Sequence, residues 1–414
     1  MRAREGTSIP LIRPPFFLVP APFPVACNIR GGVAGLALAA RLSEWSNTTV
    51  AVLEAGGDGS AFTDRVRTFP GRLFRHGCLF FDNCSTSPPP PFRSQFPPLY
   101  LQIDIPGNSY LDGLTGTAYD WAYTTTAQRD ANGTVKAWPR GKGLGGSGAI
   151  NGLFWVRPSD QEFNAWKTLN EGGETVWDGA VMREYMNKVR FGPSAPHRPS
   201  SAPLVSWLLN RTRASRLIYL LPSQAETFHA PTEDQQSTFS IAVDPSAHGT
   251  SGPIQAGFSA YIYSACAHWV PTLVALGWSN ADQHAGNNHA VNLTPSSLNP
   301  ANQTRSDSKA GYIDPLPPRD NLVILTGYQV TEVVWNSTAS ANAVAGGLTF
   351  AAEKGAESYT VYAAKEVILA GGTVNTPQML QLSGVGPADL LTGLGIDGER
   401  PALLPPVSVR EKES

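Results

Sequence analysis

An α/β fold with a dinucleotide-binding unit at its front is predicted from three observations. A glycine turn runs into an apolar helix and then a buried strand that ends in an acid. A long glycine-rich loop follows over residues 139–152, and residues 366–386 read as a second strand, glycine turn and helix. The 414 residues suffice for two domains or one large one with a substantial core. Hydrophobic residues make up 42% and charged residues 15%, the balance of a globular enzyme rather than a disordered chain. The formal net charge of -2 gives no electrostatic reason to expect nucleic acid or an anionic membrane surface as partner, and no apolar run reaches the length of a membrane span.

The front unit begins at Gly31-Gly32-Val33-Ala34-Gly35, which leads into residues 36–42, an apolar run of good helix formers. Residues 47–49 form a turn, residues 50–53 a buried strand, and Glu54-Ala55-Gly56-Gly57 close the unit. In such a unit the glycines let the backbone approach a pyrophosphate, and the helix N-terminus stabilises its charge. The acid at the second strand's end accepts hydrogen bonds from the adenosine ribose. Gly32, Val33, Ala34, Gly35, Glu54 and Ala55 are therefore candidate cofactor contacts; Glu54 lies 19 residues beyond Gly35 (54 − 35), a suitable separation. The first glycine of G-x-G-x-x-G is replaced by Arg30, which would strain the turn. Pro22 and Pro24 leave only residues 25–29 for the strand before it.

The stretch Pro139-Arg140-Gly141-Lys142-Gly143-Leu144-Gly145-Gly146-Ser147-Gly148-Ala149-Ile150-Asn151-Gly152 is too glycine-rich for an interior helix or strand. It reads as a loop whose bare backbone lies against a ligand, followed by a helix start. Together with Leu153-Phe154-Trp155-Val156-Arg157-Pro158 and Asn164 it resembles the first signature of the glucose–methanol–choline (GMC) oxidoreductases. Tyr119-Asp120-Trp121-Ala122-Tyr123-Thr124-Thr125 resembles the family's lead-in. Residues 372–386, Gly372-Thr373-Val374-Asn375-Thr376-Pro377-Gln378 onward, resemble its second signature and follow an expected strand at 366–371. The similarity runs from about residue 31 to 396, with interruptions, and is nearest to an aryl-alcohol-oxidase-like branch.

The resemblance implies a FAD-binding Rossmann-like domain, discontinuous in sequence, with a partial α+β substrate-binding domain. It divides the chain into residues 25–165 and 320–397 for FAD, residues 166–319 for a substrate or cap region, and an unassigned tail at 398–414. It also implies FAD contacts at Arg140, Gly143, Leu144, Gly145 and Ser147. Asn151, Gly152, Leu153 and Phe154 would lie beside the isoalloxazine, and the Val330 backbone would meet the adenine. Some members attach FAD through a histidine before the signature asparagine; Ile150 stands there, which implies non-covalent FAD. Gly143 and Gly148 depart from the branched residue and serine usual in the family.

Members of the family oxidise an alcohol by hydride transfer to flavin N5, with a histidine as base and an electron acceptor to reoxidise the flavin. The resemblance places those catalytic residues beyond the end of this chain, so none of His76, His197, His229, His248, His268, His284 and His289 is assigned the role. The rival readings are a non-catalytic FAD-binding remnant and a hydroxynitrile lyase on the same fold. Cys27, Cys78, Cys84 and Cys266 have no metal-ligand spacing, and no metal site is expected.

Three stretches break the resemblance: the N-terminus to Arg30, residues 67–102 with a four-proline run, and residues 190–223. With the wandering tail they read as translated introns or a faulty gene model, and natural loop insertions are the alternative. Sequons at Asn47, Asn83, Asn132, Asn210, Asn292, Asn302 and Asn336 lean toward a secreted glycoprotein.

Overall fold

The strand Val50–Glu54 (β1) is buried at every position, as expected of an apolar run covered on both faces. The computed structural model describes residues 31–59, 103–109, 113–169, 177–187, 225–336 and 344–396. The calls on residues 67–102, 190–223 and 398–414, on Arg30 and on Cys27, Cys78 and Cys84 lie outside them.

In chain order the helices are α1 (Val33–Leu42), α2 (Pro106–Ser109), α3 (Asp160–Leu169), α4 (Gly179–Asn187), α5 (Glu233–Phe239), α6 (Trp269–Ala275), α7 (Ser308–Tyr312), α8 (Gly372–Leu382) and α9 (Ala388–Gly393). After β1 come strands β2 (Tyr123–Thr124), β3 (Ala137–Trp138), β4 (Glu226–Phe228), β5 (Ile254–Ala256), β6 (Leu298–Asn299) and β7 (Thr304–Arg305). The last four are β8 (Leu322–Thr326), β9 (Gln329–Trp335), β10 (Ala345–Ala351) and β11 (Ser358–Tyr362).

β1 pairs in parallel with β8, Val50 opposite Leu322 through Glu54 opposite Thr326. That ladder joins segments far apart in sequence, as a discontinuous cofactor domain requires. On one side of it α1 turns in Gly35, Leu36, Ala39 and Ala40, a helical stripe at three- and four-residue spacing. Leu36, Ala39 and Ala40 pack with Val50, Val52, Ile313, Leu322 and Leu144, so the glycine-rich loop sends one large side chain into the core. A second core joins Leu53 to Val330, Val333, Leu348, Phe350, Val361 and Met379, beneath the antiparallel sheet β11-β10-β9.

Two expectations need correction. Residues 366–371 form no ladder with another described strand. They keep a strand's alternation, with Val367 and Leu369 packed on the second core and Ile368 and Ala370 on the first. The two cores account for that period of two. The helix start expected after the glycine loop is only a 3-10 turn over Gly146–Ala149, because the chain leaves helical geometry at Ile150, φ -122 and ψ 0. The second glycine turn is as expected: Gly372 sits at φ +77 at the head of α8. No helix of the described residues is long and apolar enough to cross a membrane.

Leu348 is fully buried between the sheet and α8. Leu348→Ala should lower unfolding stability by about 3 kcal/mol, transfer and cavity terms together. Urea denaturation measures this, and a change below about 1 kcal/mol would mean that the second core is not packed as described.

Candidate cofactor-binding site

Three sequence-distant glycine segments meet at the C-terminal end of β1. Glu54, 3% exposed, ends the strand with its carboxylate turned back toward the chain. One oxygen accepts the Gly31 N–H at 2.8 Å and the other the Gly56 N–H at 2.8 Å. The carboxylate thus ties the turn before α1 to the turn after β1. The glycine-rich loop closes over both: Gly145 N–H donates to the Gly31 carbonyl at 2.7 Å, and Leu144 N–H to the Gly57 carbonyl at 3.1 Å.

The contact is close enough to need glycine. Gly146 lies at φ +53, and a Cβ there would come 2.7 Å from the Gly32 Cα. Gly143, one of the departures from the family pattern, lies at φ +139 with the Gly57 carbonyl 2.8 Å from where its Cβ would be. A branched side chain is excluded by this backbone. Inside the loop, Ser147 Oγ accepts the Gly141 N–H at 3.2 Å.

The N-terminus of α1 has no side-chain cap and no acid in its first turn. Val33 and Ala34 are exposed there, beside half-buried Gly32 and buried Gly35. Uncapped N–H groups at the end of a ten-residue helix suit an anion. Glu54 accepts a backbone N–H on each oxygen, and an acid at this strand end is the kind of group that takes ribose hydroxyls. These residues therefore fit a dinucleotide, with Ala55 half-buried at the rim.

Arg140 and the loop entry are placed by Asp120. Its carboxylate accepts N–H groups of Gly116, Ala122 and Arg140 at 2.9, 3.0 and 2.9 Å. Burial alone would raise its pKa, but the three backbone donors hold it below the ordinary carboxylate value. The Arg140 guanidinium lies over the Trp138 ring at 4.9 Å. Tyr123 and Asn375 tie the lead-in to the second signature, with Tyr123 Oη 2.7 Å from Asn375 Nδ2. Val330 is buried in β9, opposite Phe350.

At the far end of the loop Asn151 and Phe154 are exposed, Gly152 is half-buried and Leu153 is buried. Leu153 at φ +68 is unusual for a non-glycine residue, and its carbonyl accepts the Ser297 N–H at 2.8 Å. Sequence reasoning overlooked Arg305, whose buried guanidinium bonds to Asn151. A single arginine between β6 and α7 carries no pattern that marks it.

Beyond Phe154 the signature enters a buried ionic network. Glu226, fully buried in β4, accepts from Arg157 Nη2 at 2.6 Å and from Trp155 Nε1. His248 stands between two carboxylates, Nδ1 3.1 Å from Glu226 and Nε2 2.9 Å from Asp282. Carboxylates only accept, so both ring nitrogens carry protons and His248 is an imidazolium. Burial would strip that proton, but the hydrogen bonds and charges of Asp282 and Glu226 outweigh it and raise the pKa above 6.5. Burial would likewise raise Glu226 and Asp282; their bonds to His248, and for Glu226 the Arg157 charge, hold both below the usual range. Donor atoms of His248, Asp282 and His284 lie within 4.8 Å of one another, a spacing that could hold a metal. All are already engaged: His284 Nε2 is 2.9 Å from the Trp155 carbonyl and Nδ1 3.2 Å from Asp282.

Fold and site together define an α/β protein with a dinucleotide-binding domain. The family model described as GMC oxidoreductase matches residues 29–405, and the chain belongs to that family. It is 34% identical over 370 residues to the GMC oxidoreductase family protein Mala s 12 of Malassezia sympodialis, covering 89% of this chain and 48% of the relative. It is 30% identical over 295 residues to a glucose oxidase of Penicillium chrysogenum, covering 68% and 40%. Among solved structures it resembles a FAD-dependent oxidoreductase from Chaetomium thermophilum (TM-score 0.64, 24% identity, 90% of this chain and 49% of that one). It also resembles a fungal aryl-alcohol oxidase (TM-score 0.60, 21% identity, 92% and 50%). The chain spans about half the length of these relatives. The cofactor of this fold is FAD.

The ionic network sets a pH prediction. His248, with its raised pKa, contributes fully below 6.5 and loses that contribution as pH rises through its folded value. Glu226 and Asp282, with lowered pKa, contribute fully above 4.5 and lose it as pH falls through theirs. His248→Gln should therefore cost about 3 kcal/mol near pH 5.5 and progressively less on the alkaline side. Thermal unfolding at a series of pH values reads this. A gap from wild type that is constant across the series would remove His248 from the account.

Proposed function

We propose that this chain binds FAD non-covalently where the α1 N-terminus, Glu54 and the 141–153 loop meet, and that it is the cofactor-holding part of an enzyme oxidising small alcohols. The observation that carries the reading is the convergence itself. An uncapped helix end, an acid on the neighbouring strand and a glycine loop in backbone contact with both come together from three parts of the chain. Residues 25–165 and 320–397 supply the cofactor domain in this reading, and residues 166–319 the substrate side. The alcohol class is supported by relatives named glucose oxidase and aryl-alcohol oxidase.

When bound, the flavin supplies the hydride acceptor. The chain's own task is binding and orientation. First-turn N–H groups of α1 receive the pyrophosphate charge, Glu54 takes ribose hydroxyls, and the exposed Asn151 and Phe154 face the ring. An alcohol oxidation also needs a base within hydrogen-bond reach of the hydroxyl. The described histidines have other surroundings. His248 and His284 are locked in the ionic network, His229 Nε2 bonds Gln255 at 2.7 Å, His289 packs on Trp278 and His268 is exposed. We assign the base to polypeptide beyond these residues. No observation favours the lyase reading.

FAD titration with anaerobic addition of benzyl alcohol tests both halves of this reading. The expected result is stoichiometric yellow flavin that the alcohol does not bleach. Absence of flavin uptake would sink the cofactor assignment; bleaching by the chain alone would show that it carries its own base. Persistent flavin without turnover after adding the C-terminal half of a relative would support the remnant reading.

We also propose a secreted glycoprotein. Asn47, Asn132, Asn302 and Asn336 are exposed, whereas both ends of the Asn292 carboxamide are bonded to Ala242, at 3.0 and 2.7 Å. Expression through a secretory pathway should glycosylate the first four and leave Asn292 bare. Peptide mapping after enzymatic deglycosylation decides it, and modified Asn292 would contradict the prediction.

A further inference from the structure

The side chain that orders the Gly148–Asn151 end of the glycine loop is Arg305, which no motif marks. It lies in β7 and is 3% exposed. Its guanidinium donates to four oxygens: the Ile103 carbonyl at 3.2 Å, the Gly148 carbonyl at 2.9 Å, Asn151 Oδ1 at 2.7 Å and the Asn151 carbonyl at 2.9 Å. Three of the four belong to the signature loop. Arg305 thus pins the loop from behind, from a hairpin on the substrate side of the molecule.

The chemistry of the pair fixes a direction. A guanidinium has donors only, so the atom of the Asn151 carboxamide that meets it is the oxygen. Leu153 N–H donates to the same oxygen at 3.0 Å, and fixes the assignment from a second side. The NH2 end of an exposed side chain is then left to donate elsewhere. Reversing the amide would set NH2 against two donors.

We propose that Arg305 is a positioning residue for the cofactor: by holding the Asn151 oxygen it commits the exposed Asn151 NH2 to donate to acceptor atoms of the isoalloxazine, with its own positive charge buried behind. This rests on the reading that FAD occupies the site. Burial pushes the guanidinium pKa down to about 10, against the opposing pull of Asp307 and Asp104, so the charge persists at neutral pH. A donor backed by a cation favours the more electron-rich, reduced flavin. The midpoint potential of bound flavin is therefore the property that Arg305 sets through Asn151, apart from any effect on folding.

The test uses the full chain with FAD and four variants: Asn151→Asp, Asn151→Ala, Arg305→Lys and the double Arg305→Lys/Asn151→Ala. Asn151→Asp keeps an oxygen facing Arg305 and removes the donating NH2. Asn151→Asp and Arg305→Lys should each weaken FAD binding roughly tenfold and shift the midpoint potential to more negative values. The double variant should bind no more weakly than Asn151→Ala, because Arg305 acts through Asn151. Two results would overturn the proposal. One is Arg305→Lys lowering the apo unfolding midpoint while affinity and potential stay as in wild type; the other is losses that add in the double variant. Should Arg305→Lys not fold, Asn151→Asp decides alone, and wild-type affinity and potential there refute the role. A wild-type chain that takes up no FAD overturns the cofactor reading and this inference with it.

Discussion

The Glu54 carboxylate is the fixed point of the site. β1 delivers it to a place where the chain has just left one glycine turn and is about to enter another, and each oxygen takes one backbone N–H. Without that carboxylate, two buried donors at Gly31 and Gly56 would lack a partner, a cost of about 1–3 kcal/mol each. With it, the Gly31 and Gly57 carbonyls face outward as acceptors, and the 141–148 loop binds onto them through Gly145 and Leu144. Leu144 then enters the α1–β1–β8 core, so loop and core stabilise one another. One acid thereby organises both the cradle and its lid.

Buried charge does the same work at two other places. Arg305 donates to the backbone carbonyls of Gly148 and Asn151 in the loop and of Ile103 outside it. Glu226, Asp282, His248 and Arg157 form a closed set in which two anions face two cations. Such sets add little net stability over apolar packing, because desolvation offsets most of the attraction. They do define which segments meet. The set joins the end of the first signature at Trp155 and Arg157 to residues 226–284.

Much of this was legible beforehand, for physical reasons that differ by element. The helix α1 and strand β1 follow from apolar spacing and from glycines placed before the helix. The role of Gly372 follows from a turn that needs positive φ. Residues 366–371 show where pattern and pairing part. Their alternation is correct, but no described strand pairs with them, and alternation alone does not choose a hydrogen-bonded neighbour. The helix expected after the glycine loop failed similarly, because the chain leaves helical geometry at Ile150, a break that no local propensity marks.

By itself the sequence determined the α/β class, the glycine cradle, the acid at Glu54 and the family, because each depends on local chemistry at short spacing. Tertiary structure alone decided that Glu54 would hold two glycine turns and that Gly143 could not be branched. It also decided that His248 would be locked as a cation, and that Arg305 would reach back to Asn151 across 154 residues. These are contacts between buried polar groups far apart in the chain. Their partners are chosen by which orphaned donor or acceptor lies within about 3 Å after the core has closed, and no local pattern encodes that distance.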